Sequence, residues 1–377
     1  MGSSSRRSFL RTLGAGAAAT AFPAASGLVS WAGNPPSSVP EPILLNRNEN
    51  AYGASRSAAA AMREALADAN RYPRAACEQL CDQIARLHAV GPKQVVLGCG
   101  STEILRMAAC AFLDGGGELI QASPTFPAME EYARAARAAV ISVPLTNKFI
   151  HDVKLIDARA RHDRSLVYVC NPNNPTGSVT PRKDLEWLFT TLPSSAHIIV
   201  DEAYHHYAVP SELYRSFLDR PVSNPRLIVV RTFSTVYGLA GMRVGYAVAS
   251  AEVAARLRRF ATGNNVNIVA ARAAAAALRD TAAVTGSIKR NADDRQEYFN
   301  QAISRMIKPI DSHANFVMMN AHRPAGDVVE HFRRHGVLIA GPYSPLATYI
   351  RTSLGTPPEM ARFWQVWDQM PGAHMRM

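Results

Sequence analysis

Four short polar motifs each follow a run of apolar residues, and between them they hold the groups a phosphate-bearing aromatic ligand needs. The first, Gly98-Cys99-Gly100-Ser101-Thr102-Glu103, lies between Val95-Val96-Leu97 and a helical stretch from Ile104 to Phe112. Glycines at such a turn expose backbone N–H groups at a helix start, a seat for phosphate, although a plain capped turn has the same spelling. The second, Asn171-Pro172-Asn173-Asn174-Pro175-Thr176-Gly177, follows an apolar run ending at Cys170. Its two prolines and glycine fix an irregular loop that can hold an asparagine amide rigidly in a cleft. In the third, Val200-Asp201-Glu202-Ala203-Tyr204, a carboxylate terminates a buried strand. That is costly unless a cation partners it, and a protonated ring nitrogen is such a cation. Taken by itself Asp201 also reads as a helix N-cap. The fourth runs from Arg231 to Tyr246 and contains Ser234, Thr235 and Arg243. Ser234 and Arg243 can both reach a phosphate, the guanidinium with two parallel hydrogen bonds.

Such motifs do chemistry only where a scaffold brings them together. From about residue 57 the chain alternates alanine-rich amphipathic segments with short apolar runs, among them 118–122, 165–170, 198–200 and 227–230. This alternation predicts a mostly parallel sheet between helices, an α/β fold in which ligands bind at the carboxyl ends of the strands. Helices are expected over 251–262 and 268–278. A long one over 285–306 leads to a smaller unit with strands at 315–319, 337–340 and 349–353, a helix at 326–335 and a terminal helix from Pro358. The expected organisation is an export signal (1–33), an N-terminal arm packing on the small domain (34–56), a large cofactor-binding domain (57–285) and a small C-terminal domain (286–377).

Composition sets the outer bounds. At 377 residues and 47% hydrophobic the chain can bury one large core and a smaller one, which excludes disordered and fibrous classes. The net charge of +11 comes from 41 scattered basic residues with no five-residue basic run, so nucleic acid is not an expected partner. The five cysteines (Cys77, Cys81, Cys99, Cys110, Cys170) form no CxxC pair and no metal-ligand spacing with histidine. Cys77 and Cys81 share a helix face at a spacing of four, where a disulfide is allowed but not implied. The N-terminus reads as an address: Arg6-Arg7, a weakly apolar Gly/Ala region to Ala19, then Pro23-Ala24-Ala25. That is a twin-arginine (Tat) signal, with cleavage expected between Ala25 and Gly33. Pro23 and the small side chains argue against a membrane anchor, so the expected destination is the periplasm or cell exterior through the Tat machinery.

Together the four motifs resemble the fold-type I, pyridoxal-phosphate-dependent aminotransferases, in particular the class I/II branch that includes histidinol-phosphate aminotransferase. The resemblance extends from Leu45-Asn46-Arg47-Asn48-Glu49-Asn50-Ala51-Tyr52-Gly53, through Asn70-Arg71-Tyr72-Pro73 and Ser123-Pro124-Thr125-Phe126, to Tyr349-Ile350-Arg351-Thr352-Ser353-Leu354-Gly355-Thr356. It implies pyridoxal 5′-phosphate or pyridoxamine 5′-phosphate as cofactor, and an amino acid and a 2-oxo acid as substrates. Asp201 would pair the ring nitrogen, Asn174 and Tyr204 would contact the ring hydroxyl, and Phe126 would stack on the ring. The backbone at Ser101 and Thr102, the Ser234 hydroxyl and Arg243 would hold the phosphate. Arg351, with Asn174 beside it, would bind the substrate α-carboxylate, and residues 48–53 would help close the site. Tyr52 would approach the phosphate in a neighbouring subunit, which implies a homodimer.

Two positions depart from the family. Thr235 stands where the family has the lysine that bonds the cofactor and carries the proton, and a hydroxyl can do neither. None of the six lysines (Lys93, Lys148, Lys154, Lys183, Lys289, Lys308) falls in a matching motif. Three readings of Thr235 are open: a substitution that traps a ligand, a catalyst that works without the lysine, and a protein that has ceased to transaminate. Other reactions on the same scaffold, elimination or racemisation, stay open too. His205 and His206, just past Tyr204, are candidates for a replacement base. Ala340 stands near the place of an arginine that helps histidinol-phosphate aminotransferases hold their substrate's phosphate.

Overall fold

Every residue of the run from Ser165 to Cys170 is buried, the mark of a strand covered on both faces. The computed structural model describes residues 41–161, 163–219 and 224–371. The expected signal (1–33) and residues 34–40 of the expected arm lie outside the described residues.

The strands are β1 (Ile43–Leu44), β2 (Val95–Gly98), β3 (Glu118–Ser123), β4 (Ala139–Pro144), β5 (Ser165–Cys170), β6 (His197–Asp201), β7 (Leu227–Thr232), β8 (Gly245–Ala249), β9 (Phe316–Asn320), β10 (Val337–Leu338) and β11 (Tyr349–Ser353). The first helices are α1 (Arg56–Ala65), α2 (Arg74–Leu87), α3 (Ser101–Phe112), α4 (Ala128–Ala135), α5 (Val153–Arg159) and α6 (Arg182–Thr191). They continue as α7 (Ala251–Arg258), α8 (Ile268–Arg279), α9 (Thr281–Ser304), α10 (Ala325–Arg334) and α11 (Pro357–Asp368).

Among the described residues, seven strands form one sheet in the order β2-β8-β7-β6-β5-β3-β4. Only β8 runs antiparallel to its neighbours, so the sheet is mostly parallel, as expected. The two-residue period of a strand sends alternate side chains to opposite faces. Val167, Val169, Ile198 and Val200 join the core on one side with Leu80, Ile84 and Leu188. Leu166, Tyr168 and Ile199 join the other with Ile104, Leu105 and Leu257.

A separate core gathers Leu45, Tyr298, Val317, Met319, Phe332, Ile350, Phe363 and Trp364 around β9, which pairs antiparallel with β11. The arm joins this part directly: β1 pairs in parallel with β10, and Ser353 donates its backbone N–H to Leu45.

Several boundaries differ from expectation for local reasons. The long helix α9 begins at Thr281, because the Asp280 carboxylate accepts from the Ala283 amide and starts it with only Asp280 between it and the end of α8. Helix α7 ends at Arg258 rather than 262, in a turn that precedes Gly263. The strand expected at 337–340 is only two residues long, and Ala340 makes an isolated bridge to Arg351. Helix α11 starts at Pro357, with Thr356 and Glu359 forming a reciprocal cap. Cys77 and Cys81 both lie on α2 and are free thiols. Among the described residues no helix is long and apolar enough to cross a membrane.

Candidate active site

Topology brings the motifs to one edge. β3, β5, β6 and β7 point the same way, and β2, separated from β7 by the antiparallel β8, shares that direction. Cys170, Asp201, Thr232 and the Gly98 end of β2 therefore lie on a single rim, with Gly245 of β8 opposite both Gly98 and Thr232.

At the deep end stands Asp201, 2% exposed. Tyr168 donates its hydroxyl to Oδ2 at 2.9 Å and the Ala203 amide donates to Oδ1 at 3.1 Å. Burial without a cation outweighs these bonds and pushes the carboxyl up to about 6. It faces a cavity of ≈ 460 Å³ that Ser101, Thr102, Phe126, Asn174, Tyr204, Ser234, Thr235 and Arg243 also line.

The opposite end is built to receive an anion. Helix α3 starts at Ser101 with no side chain capping it, so its first amides are open. Gly100 has φ +75°, and a Cβ there would overlap the Arg243 guanidinium. Gly245 likewise leaves room for the Ser101 backbone. Arg243 itself adopts φ 55°, donates to Ala240 O at 3.1 Å and Thr102 Oγ1 at 3.4 Å, and pairs with no carboxylate among the described residues.

Between the two ends Tyr204 is the hub. Its hydroxyl oxygen accepts from Asn48 Nδ2 at 2.9 Å and Asn174 Nδ2 at 3.2 Å. Both lone pairs are thereby used and its own proton is left to donate. Burial holds that hydroxyl protonated. Asn174 Oδ1 accepts from Arg351 Nη1 at 2.6 Å, and Arg351 Nη2 donates to Asn46 O at 2.7 Å. Arg351 is 8% exposed, its Nε has no acceptor and it makes no ion pair with a carboxylate among the described residues. It lines a second compartment of ≈ 540 Å³ that shares Arg47, Asn48, Phe126, Asn174 and Tyr204 with the first. Glu130, which lines the same compartment, is paired with Arg134. A buried guanidinium without a counter-charge is a receptor for a carboxylate.

The donor set therefore fits a ligand with a protonatable ring nitrogen at Asp201, an oxygen at Tyr204 and a phosphate at the start of α3. The chain aligns with the model of the aminotransferase class I and II family over residues 40–366. The chain belongs to that family. Histidinol-phosphate aminotransferase 2 of Carboxydothermus hydrogenoformans is 35% identical over 321 residues, covering 85% of this chain and 88% of the relative. The histidinol-phosphate aminotransferase of Methylobacillus flagellatus is 36% identical over 334 residues, 87% of this chain and 88% of the relative. The crystal structure of histidinol-phosphate aminotransferase from Sinorhizobium meliloti in complex with pyridoxal 5′-phosphate superposes with a TM-score of 0.81 at 25% identity. It covers 86% of this chain and 89% of that one. The fold is thus fold-type I, as the motifs suggested.

Of the positions that the resemblance singled out, Thr235 is 5% exposed and donates its hydroxyl to Ala203 O at 2.9 Å. No lysine lines either compartment. Tyr52 stands apart from both: its hydroxyl donates to Asp294 at 3.0 Å and Arg290 sits 4.2 Å over its ring. Burial and Asp294 push its phenol up to about 12.

The expectation that His205 or His206 serves as a base is corrected. Neither lines the cavity; they face Tyr214 and Tyr237, at 3.1 and 3.3 Å. Burial lowers both far below the ordinary histidine range, His206 to about 3, so they stay neutral packing groups.

Sequence reasoning missed Tyr168, which holds Asp201, and the buried pair of Arg231 Nε and Glu202 Oε2 at 2.8 Å, which ties the ends of β6 and β7. The signal for that pair was present: two opposite charges ending consecutive apolar strands need each other. It also assigned no role to Arg47 or Gln121, which line the compartments, and placed Glu49 only within the segment 48–53 expected to close the site.

Proposed function

We propose that the chain holds pyridoxal 5′-phosphate, or its amine form, in the ≈ 460 Å³ cavity and transfers an amino group between an amino acid and a 2-oxo acid. One observation carries the reading: a buried carboxylate, an open helix start with an unpaired arginine, and a second buried arginine converge on two joined compartments. When bound, the cofactor supplies an electron sink for the bonds at the amino acid's Cα. Asp201 accepts from the ring nitrogen, Tyr204 donates its free proton to the ring oxygen with Asn174 beside it, and Phe126 stacks on the ring. Ser101, Thr102, Ser234 and Arg243 hold the phosphate, and Arg351, braced by Asn174 and the Asn46 carbonyl, takes the substrate α-carboxylate. In a homodimer Tyr52 exchanges its bond to Asp294 for a phosphate oxygen of the neighbouring subunit.

Thr235 occupies the family's lysine position in this reading, so the protein holds its cofactor without a covalent bond. The lack of a lysine on either wall and the engagement of Thr235 with Ala203 favour a second reading, in which the chain binds the cofactor and amino acid but does not complete the transfer. Ala340 and the expected Tat export to the periplasm or cell exterior argue against histidinol phosphate as the substrate.

Calorimetric titration with pyridoxal 5′-phosphate and pyridoxamine 5′-phosphate tests the site, and mass detection of the 2-oxo and amino products tests the transfer. Binding of neither form sinks the assignment. Binding with no amino product selects the second reading.

A further inference from the structure

A site without its lysine needs another group to take the proton from the substrate's Cα, and the cofactor cavity offers few. Of its ionisable walls, Asp201 is committed to Tyr168 and the Ala203 amide, and Arg47 and Arg243 are permanent cations. The Cys170 thiol is bonded to Pro172 O at 3.3 Å, and burial keeps both it and the Tyr204 hydroxyl protonated. Glu49 remains. It lines the same compartment as Thr235, and its carboxylate has no hydrogen-bond or ion-pair partner among the described residues.

The backbone around Glu49 is anchored on both sides. Asn315 Nδ2 donates to Glu49 O at 3.2 Å, and the next residue, Asn50, donates its side-chain Nδ2 to Val236 O at 3.1 Å, one residue past Thr235. Two residues further along the same loop, Gly238 has φ +66° and lies so close to Gly53 that any Cβ would overlap the Gly53 carbonyl. The segment from Asn48 to Gly53 is therefore strapped to the loop that carries Thr235, and Glu49, exposed to solvent, is one of the residues that line the cavity.

We propose that Glu49 is the residue that moves the proton at the substrate's Cα, in the place the lysine leaves open. The inference rests on the cavity being the pyridoxal 5′-phosphate site. The Cα–H bond breaks, the proton passes to a Glu49 carboxylate oxygen, and the electron pair stays with the substrate and cofactor. The same oxygen then returns the proton, which restores the carboxylate and needs no further reagent.

The test uses full-length protein as wild type, Glu49→Gln, Thr235→Lys and the double variant. Pyridoxal 5′-phosphate affinity is measured by calorimetry, and Cα deuterium exchange of alanine and glutamate is followed in D₂O by NMR. In addition, the Glu49 carboxyl resonance of ¹³C-labelled protein is followed as the cofactor and either amino acid are added. The expected result is that Glu49→Gln slows exchange by about 100-fold, while cofactor affinity changes by less than about fivefold. The Glu49 resonance moves on ligand addition, and the double variant exchanges at the rate of Thr235→Lys, because the lysine takes over the task. Undiminished exchange in Glu49→Gln, a stationary resonance, or an equal loss in the Thr235→Lys background overturns the proposal and leaves the cavity assignment intact. Failure of the wild type to bind the cofactor overturns both.

Discussion

Asp201→Asn should strengthen the empty protein and weaken its hold on the cofactor, two effects of opposite sign from one atom change. Burial raises the Asp201 carboxyl to about 6 from its ordinary 3.8. The difference, 6 − 3.8, is about 2 pH units, equivalent to about 3 kcal/mol. Because the folded state holds its proton more tightly than the unfolded chain, stability is full below the unfolded value. It falls as pH rises from about 4 to about 6, and above that the loss stays constant. Asparagine removes the charge and can keep both contacts: Oδ1 accepts from the Ala203 amide and Nδ2 donates to the Tyr168 hydroxyl, which turns to accept. The apo variant should therefore exceed wild type by about 2–3 kcal/mol near pH 7.5 and by almost nothing near pH 4, as measured by urea unfolding at both. With the cofactor present the sign reverses. A protonated ring nitrogen that loses its buried carboxylate forfeits about 2–5 kcal/mol, so affinity should fall by about 30-fold or more in calorimetry. A variant less stable than wild type near pH 7.5, or a gain that persists unchanged near pH 4, would refute the electrostatic reasoning. Unaltered cofactor affinity would refute the assignment of Asp201.

Thr235→Lys should create a covalent cofactor link that borohydride makes permanent, visible as added protein mass; it should also lose about 1 kcal/mol of stability with the bond to Ala203 O. Arg351→Ala should weaken amino-acid binding by about 100-fold and leave cofactor affinity nearly unchanged, because its charge-assisted bonds serve the second compartment. Gly100→Ala forces a left-handed residue against the Arg243 guanidinium and should lower affinity for inorganic phosphate and cofactor together by at least about tenfold. Glu202→Gln strips the carboxylate from Arg231 at 5% and 1% side-chain exposure, and should cost about 3–5 kcal/mol in unfolding experiments.

The parts of the fold legible in the sequence are those with a strong local signature. Strand β5 is apolar at nearly every position, and a chain that alternates such runs with amphipathic helices has few ways to bury them, so the parallel sheet follows. Element ends were less legible because they depend on single hydrogen bonds. The start of α9 rests on the Asp280 carboxylate finding the Ala283 amide, and the shortening of β10 on where Ala340 meets Arg351. Register and partner choice were not legible at all. That Tyr168 reaches Asp201 depends on β5 lying beside β6 with Cys170 opposite Asp201, a relation between residues some thirty positions apart.

The histidines show the same limit from the other direction. His205 and His206 directly follow Tyr204, and proximity in sequence suggested proximity to the chemistry. The tight turn after β6 instead sends them away from the cavity, toward Tyr214 and Tyr237, where burial removes their capacity to hold a proton near neutrality. The base proposed for this site sits on a segment that folds back over the rim. The strap from Asn48 to Gly53 does so, held by Asn315 and by the asparagine amide on Val236. It lies nearly two hundred residues before Thr235 in the chain, and only the three-dimensional arrangement brings Glu49 and the threonine to the lining of one cavity.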